Sequence, residues 1–124
     1  MKKEDQKYAV LRATFPYDIL QRAQGIFGRD YQMGIAVEEC SELQKALLKN
    51  TNRKKDNVDE IIDETADVYI ALLHIILSYN INDSVAKRVR EKLTRLDERL
   101  KIREQSTDLA DYTRRCELAK GKGR

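Results

Sequence analysis

Apolar positions along this chain recur at three- and four-residue steps rather than in alternation, so the pattern predicts helices from end to end. Ile19, Leu20, Ala23, Ile26 and Phe27 mark one face of a first helix, with Asp18 as its expected N-cap and Gly28 as its stop. A second helix is expected from about residue 30 to residue 50. Advancing about 100° per residue places Ile35, Ala36, Leu43, Ala46 and Leu47 on one broad apolar arc of it. The polar stretch 50–57, NTNRKKDN, reads as a basic turn. A third helix is expected to start near Asn57, with Glu60 placed as in a capping box. From Val68 to Leu77 only His74 interrupts an apolar run, so this helix is expected to be central or covered by a partner chain. Residues 80–84, NINDS, form the next turn and cap. A fourth helix follows, with Val85, Val89, Leu93, Leu96 and Leu100 as its expected buried stripe.

The ends are less patterned. Residues 1–17 carry one short apolar patch at Tyr8, Ala9, Val10 and Leu11 and read as an arm or short helix. Residues 105–124 repeat weakly at Leu109, Tyr112 and Cys116 and finish in KGKGR, where fraying is expected. The expected organisation is thus an N-terminal arm over 1–17, one helical domain over 18–104, and a C-terminal tail or short helix over 105–124.

Composition agrees with this reading. With 36% charged and 41% hydrophobic residues, one Pro and no Trp in 124 residues, amphipathic helices are favoured over strands, and the fold class expected is all-α. A net charge of +3 is a small difference between 24 basic and 21 acidic residues and does not by itself announce a nucleic-acid binder, and the acidic residues mixed through both long helices argue against one. No apolar run approaches the roughly 20 residues of a membrane span, and the N-terminus lacks an apolar leader core, so a soluble, cytoplasmic protein is expected. Cys40 and Cys116 are too few and too far apart for a disulfide scaffold or a CxxC knuckle.

Against this background one feature needs chemistry. Glu39 falls inside the apolar arc of the second helix, Glu42 on its border and Glu38 just outside it. Glu64 and Asp67 repeat the same three-residue spacing on the third helix, and residues three apart share a helix face. Four carboxylates converging from two packed helices are costly to bury unless cations neutralise them, and a divalent metal accounts for them most simply. Gln32 lies two turns before Glu39 on the same arc and is a candidate polar contact. On the third helix Asp63, Asp67, Ala71, His74 and Ser78 fall along one polar seam. On the fourth, Arg88, Lys92, Arg95 and Arg99 form a basic edge that would equally suit a solvated face paired with Glu91 and Glu98.

These residues have a familiar order. Glu38, Glu39 and Glu42 spell EExxE, twenty-one residues intervene, and Glu64 and Asp67 spell ExxD. The order resembles that of the MazG-like nucleoside triphosphate pyrophosphohydrolases, relatives of the all-α dUTPases. The strings QMGIAVEECSEL from Gln32 to Leu43 and ETADV from Glu64 to Val68 resemble the family's second and third helices, and Lys92 and Arg95 match its KxxR element. Arg90 stands where many members have Asn. The resemblance implies a four-helix-bundle fold that assembles as a homodimer or homotetramer. It also implies cleavage of a nucleoside triphosphate between its α and β phosphates, with Glu39, Glu42, Glu64 and Asp67 holding Mg²⁺, or alternatively Mn²⁺. Glu38 would serve as catalytic base, and Gln32, Lys92 and Arg95 would contact substrate. The competing reading is a non-catalytic helical interaction module for an acidic partner or nucleic acid, which requires no metal.

Overall fold

The computed structural model describes residues 17–121, and within them the chain is all-α, with four helices and no strand. These are α1 (Tyr17–Phe27), α2 (Arg29–Thr51), α3 (Val58–Tyr79) and α4 (Asn82–Gly121). The expected arm, with Tyr8 to Leu11, lies outside the described residues, as does the end of KGKGR. The chain divides into two compact units between Ile81 and Asn82, so that α1 to α3 form one and α4 the other.

The first unit is held by the antiparallel pairing of α2 and α3, on which α1 also packs. The residues most deeply buried in it are Ala36, Ala46 and Ala71, with Ala46 fully covered. Small side chains at the seam let two helix backbones approach closely. The approach is then pinned by one buried amide. Asn57 donates from Nδ2 to the Ala46 carbonyl across the seam at 3.0 Å, and to Glu60 Oε2 at 3.2 Å. Glu60 in turn accepts from Lys49 Nζ at 2.7 Å. The expected capping box therefore takes a different form: Asn57 sits at the N-cap of α3, but its side-chain oxygen accepts from no amide of that helix and is buried without a partner, while its Nδ2 reaches α2.

Each connection has a local cause. Between α1 and α2 the chain turns at Gly28 with φ 83°, a conformation only glycine adopts without strain. Phe27 and Tyr31 stack across this turn with ring centroids 5.0 Å apart. After α3, Asn80 adopts the left-handed conformation at φ 53°, and the Ile81 amide donates back to the Ile76 carbonyl at 3.1 Å, a Schellman-type stop. Asn tolerates this region better than other non-glycine residues. Gln24 joins α1 to α3 by donating from Nε2 to the His74 carbonyl at 2.9 Å and to the Ser78 hydroxyl.

Two expectations are corrected here. The stripe Val89, Leu93, Leu96 and Leu100 is exposed among the described residues, and α4 buries none of its residues. Leu47, expected on the apolar arc of α2, is likewise exposed, as are Ile62, Ile70 and Leu72 on α3. Moreover, residues 105–121 do not form a separate element but continue α4 as one helix of 40 residues. No Gly or Pro occurs between Asn82 and Lys120 to stop it. No helix among the described residues is long and apolar enough to cross a membrane.

The amide pin can be tested. Asn57→Ala removes two hydrogen bonds, the cross-seam one to the Ala46 carbonyl and the one to Glu60, and a loss of about 1–3 kcal/mol is expected in urea unfolding. Thr51→Ala removes a hydroxyl that bonds only within its own helix surface, to Leu47 and Asn52, and should leave the midpoint nearly unchanged.

Candidate metal centre

Antiparallel pairing sets residue 39 of α2 opposite residues 64–67 of α3. The helical spacing of Glu64 and Asp67 then aims both at the same partner. Glu39, Glu64 and Asp67 each offer one carboxylate oxygen, and these oxygens lie within 4.8 Å of one another. Glu39 and Glu64 are half-buried, whereas Asp67 is exposed, so the group opens to solvent on the Asp67 side. Three of the four expected ligands thus converge.

Glu42 stands beside this group rather than in it. Its nearest ion pair is with Lys45, 3.9 Å away on the same helix. Its charge nonetheless acts on both glutamates of the cluster. Glu38 is exposed on the flank of α2 and adds to the same field. Gln32 is buried two turns earlier, about 10 Å along the helix axis from Glu39. Lys92 and Arg95 are exposed on α4, in the second unit, beside Leu93, Leu96 and Arg99.

The electrostatics of the cluster are those of like charges held together. Partial burial raises the Glu39 pKa, reinforced by Asp67, then Glu64, Glu38 and Glu42. Burial likewise raises Glu64, followed by the charges of Glu42, Asp67, Glu60 and Asp63. The α2 lysines do not relieve this repulsion, because Lys45 pairs with Glu42 and Lys49 with Glu60. Glu60 shows the opposite behaviour: hydrogen bonds from Lys49 and Asn57 hold it below the ordinary glutamate value, which marks it as structural. A divalent cation suits the donor set, since hard carboxylate oxygens and an open side are what Mg²⁺ takes while keeping waters or phosphate oxygens elsewhere in its shell.

His74 is a different case. It is buried seven residues beyond Asp67 on α3, its Nδ1 has no hydrogen-bond partner, and burial lowers its pKa so that the ring is held neutral. The polar seam expected along α3 therefore divides into an acidic end and a covered imidazole end. Gln24, which ties the His74 turn to α1, carried no signal in the sequence, because an isolated Gln on an amphipathic helix looks like any solvated residue.

Comparison of the chain with protein-family models, with curated proteins and with solved structures finds no match. What the fold and the site define is therefore a class only: an all-α chain with a three-carboxylate cluster between two antiparallel helices.

The raised pKa values carry a sign. A carboxyl whose folded-state pKa lies above its ordinary 4.5 favours folding fully only below that value, and the contribution is lost as pH rises through the raised one. At pH 7.5 in chelator, Glu39→Gln is therefore expected to melt at a higher temperature than the native protein, and the gap should close near pH 4. Added Mg²⁺ at ~10 times its Kd should stabilise the native protein by about 1.4 kcal/mol and the variant by much less. Thermal melts at the two pH values, with and without metal, measure both.

Proposed function

We propose that this chain is a Mg²⁺-dependent nucleoside triphosphate pyrophosphohydrolase of the MazG-like type, yielding a nucleoside monophosphate and pyrophosphate. The observation that carries the reading is the convergence of Glu39, Glu64 and Asp67 from α2 and α3 within 4.8 Å. It supports the EExxE and ExxD resemblance because three of the five motif carboxylates, Glu39, Glu64 and Asp67, lie together.

In this reading Glu39, Glu64 and Asp67 hold the cation, with Glu42 beside them as a further ligand or a second-layer charge. Bound there, Mg²⁺ supplies neutralisation of the triphosphate and of the departing pyrophosphate. Glu38, one residue from the metal face and open to solvent, takes a proton from the attacking water. Lys92 and Arg95 contact phosphate oxygens, where charge-assisted bonds strengthen as the leaving group gains charge. Gln32 orients the substrate from the buried end of the same arc. The exposed apolar residues of α3 and α4 support assembly as a homo-oligomer, a homodimer or homotetramer, in which those faces are covered.

The test is incubation of the purified protein with a panel of ordinary and modified nucleoside triphosphates, with Mg²⁺ or with chelator, followed by separation of the products. Monophosphate and pyrophosphate should appear only with metal, and Glu39→Gln should lower turnover on the order of 10²-fold or more. Glu38→Gln should lose turnover while keeping the stabilisation by Mg²⁺, which separates the base from the ligands. If no nucleotide is cleaved and Mg²⁺ leaves the melting temperature unchanged, the metal reading fails and the helical interaction module replaces it.

A further inference from the structure

Lys92, Arg95 and Arg99 recur on α4 at steps of three and four residues, so they share one face of the helix over about 10 Å of its length. At about 100° per residue Arg99 falls within about 20° of Lys92, with Arg95 about 60° to one side of Lys92. Together with Leu93, Leu96 and Glu98 they line an open groove of about 540 Å³. All three cations are exposed, and among the described residues none of them has an ion-pair or hydrogen-bond partner.

Other basic residues of the same helix meet carboxylates. Arg88 pairs with Glu91 at 3.4 Å, Lys101 with Asp97 at 2.8 Å and Arg114 with Asp111 at 3.1 Å. Arg95 and Glu98 have the same three-residue spacing as Arg88 and Glu91 and line one groove, yet they do not pair. Lys87, Arg90 and Arg103 are also unpaired, but they lie outside the groove. Like charges three and four residues apart oppose helix formation, and Lys92, Arg95 and Arg99 make two such pairs in succession. A run of anionic groups relieves that repulsion, as a cation relieves the carboxylates of α2 and α3. Guanidinium groups fork onto phosphate oxygens in bidentate pairs, whereas an ammonium acts as a point charge. Two arginines and a lysine in one groove therefore suit a short chain of phosphates.

We propose that Arg99 is a third phosphate-contacting residue beside Lys92 and Arg95, and that it makes the site prefer nucleoside triphosphates to diphosphates. This rests on the pyrophosphohydrolase reading above and adds to it a residue outside the KxxR element. A triphosphate offers three phosphate groups to the three cations. A diphosphate offers one fewer and leaves a cation without its anion. In either substrate water attacks the α phosphorus and the bond from it to the α,β-bridging oxygen breaks. That oxygen departs with pyrophosphate from the triphosphate and with orthophosphate from the diphosphate.

Steady-state kinetics with Mg²⁺ on a matched nucleoside tri- and diphosphate test it, the base being one that the nucleotide panel shows to be cleaved. The native protein is expected to favour the triphosphate in kcat/KM. Arg99→Gln should lower kcat/KM for the triphosphate roughly 10- to 100-fold, the effect of losing one hydrogen-bonded contact to a charged group, and change it little for the diphosphate. Arg99→Lys should restore part of the preference, because it keeps the charge without the fork. Lys87→Gln removes an exposed, unpaired charge outside the groove and should leave the ratio unchanged, which separates contact from the general field. If the native protein cleaves no nucleotide, the pyrophosphohydrolase reading fails and this inference with it. If it cleaves the triphosphate, then equal kcat/KM for the two native substrates, or an unchanged ratio in Arg99→Gln, overturns this inference alone. An unchanged ratio with lost binding of a single-stranded oligonucleotide in Arg99→Gln overturns it in favour of a nucleic-acid backbone as the anion.

Discussion

The close approach of α2 and α3 is the constraint from which the rest of the first unit follows. Alanines at 36, 46 and 71 remove the bulk that would hold the two helices apart, and the Asn57 amide fixes the approach by reaching the Ala46 carbonyl. A Leu in place of Ala46 would have no room, since that position is fully covered. Because the seam is built from small residues, it buries little apolar area. The larger side chains, including Ile62, Ile70 and Leu72, are left pointing away from it. Among the described residues these larger apolar side chains stand exposed.

That closeness also creates the electrostatic problem at the other side of the pair. The groups concerned are the carboxylates of Glu39, Glu64 and Asp67. Here their oxygens come within 4.8 Å, and Glu39 and Glu64 are shifted toward protonation. The neighbouring carboxylate Glu60 shows what a structural acid in the same pair looks like, with a lysine at 2.7 Å and a lowered pKa. The contrast between Glu60 and Glu64, one turn apart on one helix, separates an acid that a lysine neutralises from acids whose nearest charges are other carboxylates. Destabilised charges of this kind cluster where function requires them, which is why the metal reading is favoured over a solvated acidic face.

How much of this was legible follows from what periodicity encodes. The 3.6-residue period identifies which side of a helix is apolar, and the hairpin of α2 and α3 then places the i, i+3 carboxylates opposite each other, so Glu39, Glu64 and Asp67 could be read from spacing alone. Glu42 could not be placed as finely, because three residues advance the helix by about 300°. That leaves Glu42 some 60° to one side of Glu39, close enough to join the field yet turned toward Lys45. Period also says nothing about what covers an apolar face, which is why the Val89 to Leu100 stripe reads as buried and stands exposed. The unbroken course of α4 past residue 104 was hidden by a change of phase. When the stripe moves across the helix between Leu100 and Ile102, the pattern fades as it does at a helix end, although no backbone signal stops the chain. From its position Asn57 reads as a cap, and its role across the seam depends on which carbonyl lies opposite.

The central claim is that the three carboxylates are a cation site, and anomalous diffraction from crystals grown with Mn²⁺ tests it without reference to any activity. One anomalous peak within coordination distance of Glu39, Glu64 and Asp67 together is the result expected, weakened or lost in Glu39→Gln crystals. Well-ordered crystals holding Mn²⁺ elsewhere, or none at all, while the three carboxylates stand bare would contradict the account.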